Sequence, residues 1–193
     1  MTNQSLPPTY FDKLYAADPD PWDFETSEYE AQKYAATIAA LPNTRYQSAF
    51  EIGGSIGVLT EQLAGYCDSL LSVDISTIAQ ATAIQRCQHL PHVRFQIMNV
   101  PHEYPNASFD LVVLSEVGYY WCWDDFKQSQ TRIFDSLLPG GHLLLVHWLH
   151  EAIDYPLRGH QVHDAFQEFA ESRMHQRVSQ RTQDYRLDVY EKR

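Results

Sequence analysis

Phe50-Glu51-Ile52-Gly53-Gly54-Ser55-Ile56-Gly57-Val58-Leu59-Thr60 decides the fold of this 193-residue chain. An apolar strand over Ser48–Ile52 runs into a cluster of glycines, and a helix to about Ala64 follows, with Gly65 as its stop. Glycine lets the backbone turn sharply and come close to a ligand. The helix behind the turn offers its free N–H groups. A second strand, Ser69–Asp74, ends in a carboxylate 17 residues after Gly57. An acid placed there accepts both hydroxyls of a nucleoside ribose, whereas the plainer reading makes Asp74 an acid at the start of the helix that Ser76 caps. The glycines and the acid together carry more than either alone.

Outward from this unit, strands and helices alternate. The helix after Ser76 ends near Leu90-Pro91, Val93–Met98 is a third strand and Phe109–Ser115 a fourth. Asp124 can cap a helix bearing Phe126, Ile133, Phe134 and Leu137, closed by Pro139-Gly140-Gly141. His142–Trp148 is a fifth strand. Val162, Ala165, Phe166, Phe169 and Ala170 mark another helix, and short strands near 174–179 and 185–191 finish the chain. Continuous apolar runs such as Leu111-Val112-Val113-Leu114 suit a sheet covered on both faces. The pattern predicts a doubly wound α/β domain over residues 46–193, with ligands at the carboxyl ends of its strands.

Residues 1–45 read as an N-terminal cap. Asp18-Pro19-Asp20-Pro21-Trp22 is an ordered turn, after a short amphipathic helix bearing Phe11, Leu14 and Tyr15. Ser27-x-x-Glu30 fits a capping box, and Pro42 ends the helix that follows.

Composition excludes several classes. The chain is 44% hydrophobic and 20% charged, with a net charge of −11, so its field repels polyanions and argues against nucleic-acid or anionic-membrane partners. No apolar run approaches the roughly 20 residues of a membrane span, and the N-terminus lacks the features of a signal peptide. Cys67, Cys87 and Cys122 form neither a disulfide framework nor a metal motif. His147-x-x-His150-Glu151 is not the zinc-binding HExxH pattern, and no metal is expected. A soluble, cytoplasmic protein of undetermined oligomeric state is the expectation.

A dinucleotide and S-adenosylmethionine both fit the glycine turn. The quoted stretch, then Ser72-Val73-Asp74-Ile75-Ser76, Phe109-Asp110-Leu111-Val112-Val113-Leu114-Ser115-Glu116 and Leu138-Pro139-Gly140-Gly141-His142-Leu143-Leu144-Leu145, resemble the ordered motifs of class I S-adenosylmethionine-dependent methyltransferases. The Asp-Pro-Trp segment and Tyr29-Glu30-x-x-Lys33-Tyr34 resemble the NodS-like group, which methylates the amino group of a deacetylated chitooligosaccharide. The resemblance implies a Rossmann-like methyltransferase fold, a mostly parallel seven-stranded sheet with a C-terminal antiparallel hairpin. It also implies S-adenosylmethionine as cofactor and a small-molecule acceptor, an amino sugar or oligosaccharide amine.

Placed residue by residue, the resemblance puts Gly53, Gly54, Ser55 and Gly57 at the methionine and ribose, with Glu51 and Ser115 in the same cofactor set. Asp74 would hold the ribose, Ile75 would pack on adenine, and Asn99 and Val100 would border its edge. Lys33 would reach the cofactor's carboxylate while Trp22 helps close the site. Two positions depart from the family pattern. Ser55 stands where a glycine is frequent, and Asn99 where an acid is.

Glu116 would lie near the transferred methyl, to orient an amine or take its proton, and Tyr120 would shape the acceptor pocket with Tyr119. His147 is a second candidate base. Plainer readings stand beside these: a salt bridge for Glu116, core packing for the tyrosines, and a structural hydrogen bond for His147. Two other functions share the turn, a nicotinamide-dependent oxidoreductase and a non-catalytic binder of S-adenosylmethionine. The first leaves the Asp-Pro-Trp entry unexplained.

Overall fold

The computed structural model describes residues 4–193. Two helices, α1 (Pro8–Ala17) and α2 (Glu28–Ala39), precede an alternating series. It runs β1 (Ala49–Ile52), α3 (Val58–Ala64), β2 (Leu70–Asp74), α4 (Thr77–Arg86), β3 (Val93–Ile97), β4 (Phe109–Ser115), α5 (Trp123–Ser136), β5 (Leu137–Trp148) and α6 (Gly159–Ala170). The hairpin β6 (Met174–Arg181) and β7 (Tyr185–Lys192) closes the chain. The seven strands stand in the order β3-β2-β1-β4-β5-β7-β6. Strands β1 to β5 are parallel, and β7 pairs antiparallel with both β5 and β6. This is the Rossmann-like methyltransferase fold. The chain winds outward in opposite directions from β1 and β4, and the site lies at that switch point.

Both faces of the central strands are covered. Val112 and Leu114 of β4 pack with Leu143 and Leu145 of β5 against Phe126, Ile133 and Phe166 from α5 and α6. Leu111, Val113, Leu144 and Val146 face the other way, toward Tyr34, Leu59 and Leu63 of α2 and α3. The apolar run therefore splits by the two-residue period of a strand, with each half buried in its own layer.

Several local expectations are corrected. Ser27 does cap α2, accepting the Glu30 N–H at 3.4 Å, but Glu30 does not reach back to complete the box. The Ser27 N–H is already satisfied by the Asp23 carbonyl at 2.8 Å, so the Glu30 side chain is free to bond Lys33. Helix α5 begins at Trp123 with Cys122 as its cap residue, placing Asp124 and Asp125 in the first turn, beside the positive end of the dipole. Leu137 belongs to β5 and pairs with Phe109, so Pro139-Gly140-Gly141 lies inside the strand, at an irregularity in its register with β4. Helix α4 stops at Arg86, and a turn from Leu90 N–H to the Cys87 carbonyl leads into Pro91.

The N-terminal segment is tied across the carboxyl ends of the strands. Phe11 and Tyr15 of α1 bury against Ile56 and Ala79. The Ser76 hydroxyl donates to Asp12 at 2.7 Å, and the Leu6 N–H to the Tyr120 carbonyl at 2.9 Å. Among the described residues, no helix is long and apolar enough to cross a membrane.

Candidate active site

A cavity of about 400 Å³ opens at the carboxyl ends of β1, β2 and β4, roofed by α1 and α2. At one end the chain leaves β1 through Gly53, at φ +84°, and folds back so that the N–H groups of Gly53 and Gly54 donate to the Val73 carbonyl at 2.8 and 3.0 Å. A Cβ on Gly54 would stand 2.1 Å from the Ser72 hydroxyl, so no side chain fits there. Ser55 follows at φ +51°, and its N–H donates to Asp74 Oδ2 at 2.8 Å. The Ser76 N–H donates to Asp74 Oδ1 at 2.8 Å. Each oxygen of Asp74 thus holds one backbone donor and keeps a second lone pair, an arrangement suited to a pair of hydroxyls. Burial raises the Asp74 pKa, partly offset by these N–H bonds. Tyr15 closes over this corner, its hydroxyl 2.5 Å from Ser55 Oγ.

Of the residues expected around a cofactor, Trp22, Lys33, Gly53, Ser55, Asp74, Ile75, Asn99, Val100 and Ser115 line the cavity. Glu51, Gly54 and Gly57 do not. Glu51 is 1% exposed and lies beneath the turn, where its Oε2 accepts from Thr60 at 2.5 Å and Ser72 at 2.7 Å. Burial pushes its pKa up to about 7. Gly57 packs against Ala83 of α4.

At the other end stands Glu116, at φ +57°. Its Oε1 accepts from Lys33 Nζ at 2.6 Å. Its Oε2 accepts from the Tyr119 hydroxyl at 2.6 Å and the Trp148 N–H at 2.8 Å. Lys33 is buried and bonds Glu30 Oε1 at 2.9 Å as well. Burial alone would lower the Lys33 pKa, but Glu116 and then Glu30 outweigh it and hold it above the ordinary value. Lys33 thus lines the cavity while paired with two carboxylates. Tyr120 lines the same end, with its ring centroid 4.8 Å from that of Tyr155.

His147 lies outside the cavity wall, fully buried. The Gly118 N–H donates to its Nε2 at 3.0 Å, so Nε2 is the unprotonated nitrogen. His147 Nδ1–H must then donate to His163 Nε2 at 3.2 Å, and His163 Nδ1–H to Asp188 Oδ2 at 2.6 Å. Burial lowers the pKa of both histidines, of His147 most strongly, and the chain is neutral up to Asp188. Neither nitrogen of His147 is open to a substrate. His150 pairs instead with Asp184 at 2.7 Å. Glu30, Tyr29, His163 and Asp188 were not singled out as site residues from the sequence. Only the three-residue spacing of Glu30 and Lys33 on one helix face hinted at the clamp.

The family model described as "Nodulation protein S (NodS)" matches residues 10–145. The chain belongs to the NodS family. The Nodulation protein S of Sinorhizobium fredii is 29% identical over 129 residues, which cover 65% of this chain and 59% of that protein. The chain thus spans little more than half the length of this curated NodS relative. A crystal structure of a Pseudomonas syringae protein is 37% identical, covering 86% of this chain and all of that one, with a TM-score of 0.75. The N-methyltransferase NodS of Bradyrhizobium japonicum WM9, crystallised with S-adenosyl-L-homocysteine, is 22% identical over 95% of this chain and 97% of that one, with a TM-score of 0.84. The NodS fold thus extends over the α6 and β6–β7 regions beyond the matched family segment.

Proposed function

We propose that this protein is an S-adenosylmethionine-dependent methyltransferase acting on a small-molecule amine, with the amino group of a deacetylated amino sugar or oligosaccharide as favoured acceptor. One observation carries the reading. Asp74, bonded to the backbone of the glycine turn, presents spare lone pairs at the wall of a cavity large enough for a nucleoside. The donor set fits the cofactor: Asp74 for the ribose hydroxyls, the Gly53–Ser55 turn for close approach, Ile75 and Val100 for the adenine faces and Asn99 for its edge. When bound, the cofactor supplies a methyl group on a sulfonium. The chain's own residues position the acceptor and exclude water. Residues 1–45 act as the cap and residues 46–193 as the catalytic domain. The aromatic wall of Tyr119, Tyr120, Trp148 and Tyr155 offers ring faces and polar tips to a sugar.

Calorimetry tests the first part. S-adenosylhomocysteine binds saturably, and Asp74→Ala weakens it about 100-fold, as expected for the loss of two hydrogen bonds to a charged group. No heat with the wild-type protein ends the reading. Labelled cofactor with partly deacetylated chitooligosaccharides tests the acceptor, and transfer to a hydroxyl or thiol instead refutes that part.

A further inference from the structure

Two residues that line the cavity each carry a buried polar atom with no hydrogen-bond partner among the described residues: Glu30 Oε2 and the Tyr29 hydroxyl. Glu30 is 7% exposed, and only its Oε1 is used, by Lys33. A buried polar group left unpaired is unfavourable by about 1–3 kcal/mol, and such exceptions concentrate where a ligand completes the set. The neighbouring Glu116 accepts three hydrogen bonds. An ionised carboxylate has about four lone-pair sites, so one remains, on Oε1.

We propose that Glu30 Oε2, the Tyr29 hydroxyl and the last lone pair of Glu116 form the seat for the acceptor's ammonium group. The proposal rests on the amine-methyltransferase reading and assigns its substrate-recognising residue to α2. A primary ammonium brings three N–H donors, and the seat offers three acceptors. Burial raises the Glu30 pKa against the pull of Lys33, and an ammonium at Oε2 would bring a second cation to favour its carboxylate form. The position agrees as well. The Tyr29 ring lies 6.4 Å from that of Tyr185, which opens β7 and pairs with Trp148 of β5. Asp74 ends β2 and Glu116 follows β4, two strand positions away in the sheet, roughly 10 Å at about 4.8 Å per strand. The ribose anchor and the seat thus sit at opposite ends of the cavity, and the seat is beside the aromatic wall. Glu116, fixed by Lys33, Tyr119 and Trp148 with one lone pair left, is the floor of this seat, and Glu30 is the member with a whole oxygen to spare.

The cofactor carries an ammonium of its own, so the experiment separates the two. Titration calorimetry would follow S-adenosylhomocysteine into the apo protein. It would then follow the free-amine dimer of glucosamine, and its N,N′-diacetyl counterpart, into protein saturated with S-adenosylhomocysteine. Glu30→Gln keeps an oxygen for Lys33 and turns an N–H toward the seat. We expect it to weaken the free-amine dimer about 30-fold, the size expected for one charged hydrogen bond, while the affinities for S-adenosylhomocysteine and for the diacetyl dimer change less than about threefold. Tyr29→Phe weakens the free amine about fivefold, the size of one neutral hydrogen bond. Should Glu30→Gln fail to fold, Glu30→Asp, which keeps the charge but withdraws the oxygen, carries the same expectation. An unchanged amine affinity in both Glu30 variants, or a tenfold loss for S-adenosylhomocysteine, overturns the seat and leaves the methyltransferase reading standing. Failure of the wild-type protein to bind S-adenosylhomocysteine overturns both.

Discussion

Asp74 and Glu116 stand at opposite ends of one cavity, and the protein holds their carboxylates by different means. Asp74 takes one backbone N–H on each oxygen, from residues within a single strand-turn-helix unit and the strand beside it. Glu116 is held mainly by side chains, Lys33 from α2 and Tyr119 from the loop after β4, with one N–H from Trp148. Backbone donors fix a geometry without adding charge. A buried ammonium adds a charge that must stay paired, so the Glu116 end is expected to carry more of the fold's stability than the Asp74 end.

Lys33→Met is the strongest way to break this contrast. It leaves Glu30 and Glu116 buried without their cation, and a loss of about 3–5 kcal/mol in urea unfolding at pH 7.5 is expected. Asp74→Asn keeps an acceptor for one of its N–H donors and leaves the other unpaired, and should lose about 1–3 kcal/mol in the same measurement. Equal losses in the two variants would erase the distinction.

The groups beneath the two ends respond to pH in opposite directions. Glu51, under the glycine turn, has its pKa raised from 4.5 to about 7. A raised carboxylate contributes stability that is fully present below the unfolded pKa and lost as pH rises through the folded one. Glu51→Gln should therefore gain on the wild type by about 3 kcal/mol between pH 4.5 and pH 8, from 2.5 units at 1.36 kcal/mol each. A difference flat in pH would show that Glu51 is ionised at no penalty. His147 and His163, under the Glu116 end, have lowered pKa values. Their contribution is present above about pH 6.5 and is lost as pH falls below it, each by at most about 1.4 kcal/mol per pH unit. His163→Gln should flatten that acid limb by about 1 kcal/mol per unit, and nitrogen NMR should find both rings neutral and Nδ1-protonated at pH 6. An imidazolium signal there would undo the chain drawn through Gly118, His147, His163 and Asp188.

The same contrast explains what could be read from the sequence. The backbone donors that hold Asp74 all lie between Phe50 and Ser76, so strand, turn and acid appear as one local pattern. The Glu116 clamp joins residues 83 positions apart, and no local period announces that Lys33 will meet Glu116. Glu30 illustrates the difficulty. Its spacing from Ser27 matched a capping box, yet the Asp23 carbonyl had already taken the donor that Glu30 was expected to serve. Leu137 kept helical spacing with Ile133 and Phe134, and pairing with Phe109 across the sheet overrode it. The doubly wound class followed from the alternation of strands and helices, whereas the ends of α4 and α5 did not, because tertiary pairing decides where a marginal turn stops.

The smallest test concerns a feature both ends share. Ser55 and Glu116 each leave their strand in the left-handed region, at φ +51° and +57°, where a Cβ crowds the following carbonyl. At Glu116 the side chain is indispensable to the clamp, so strain and function cannot be varied apart. At Ser55 they can. Ser55→Ala keeps the strain and removes the hydrogen bond to Tyr15, and should lose about 1 kcal/mol. Ser55→Gly removes both, and relief of roughly 1 kcal/mol of backbone strain should bring it back close to the wild type. The alanine and glycine variants then differ by about 1 kcal/mol in thermal or urea unfolding, in favour of glycine. If instead they are equally unstable, the turn is not strained at Ser55. The serine would then be held there for its grip on Tyr15, which makes the roof over the ribose corner part of the binding site rather than a cover laid on it.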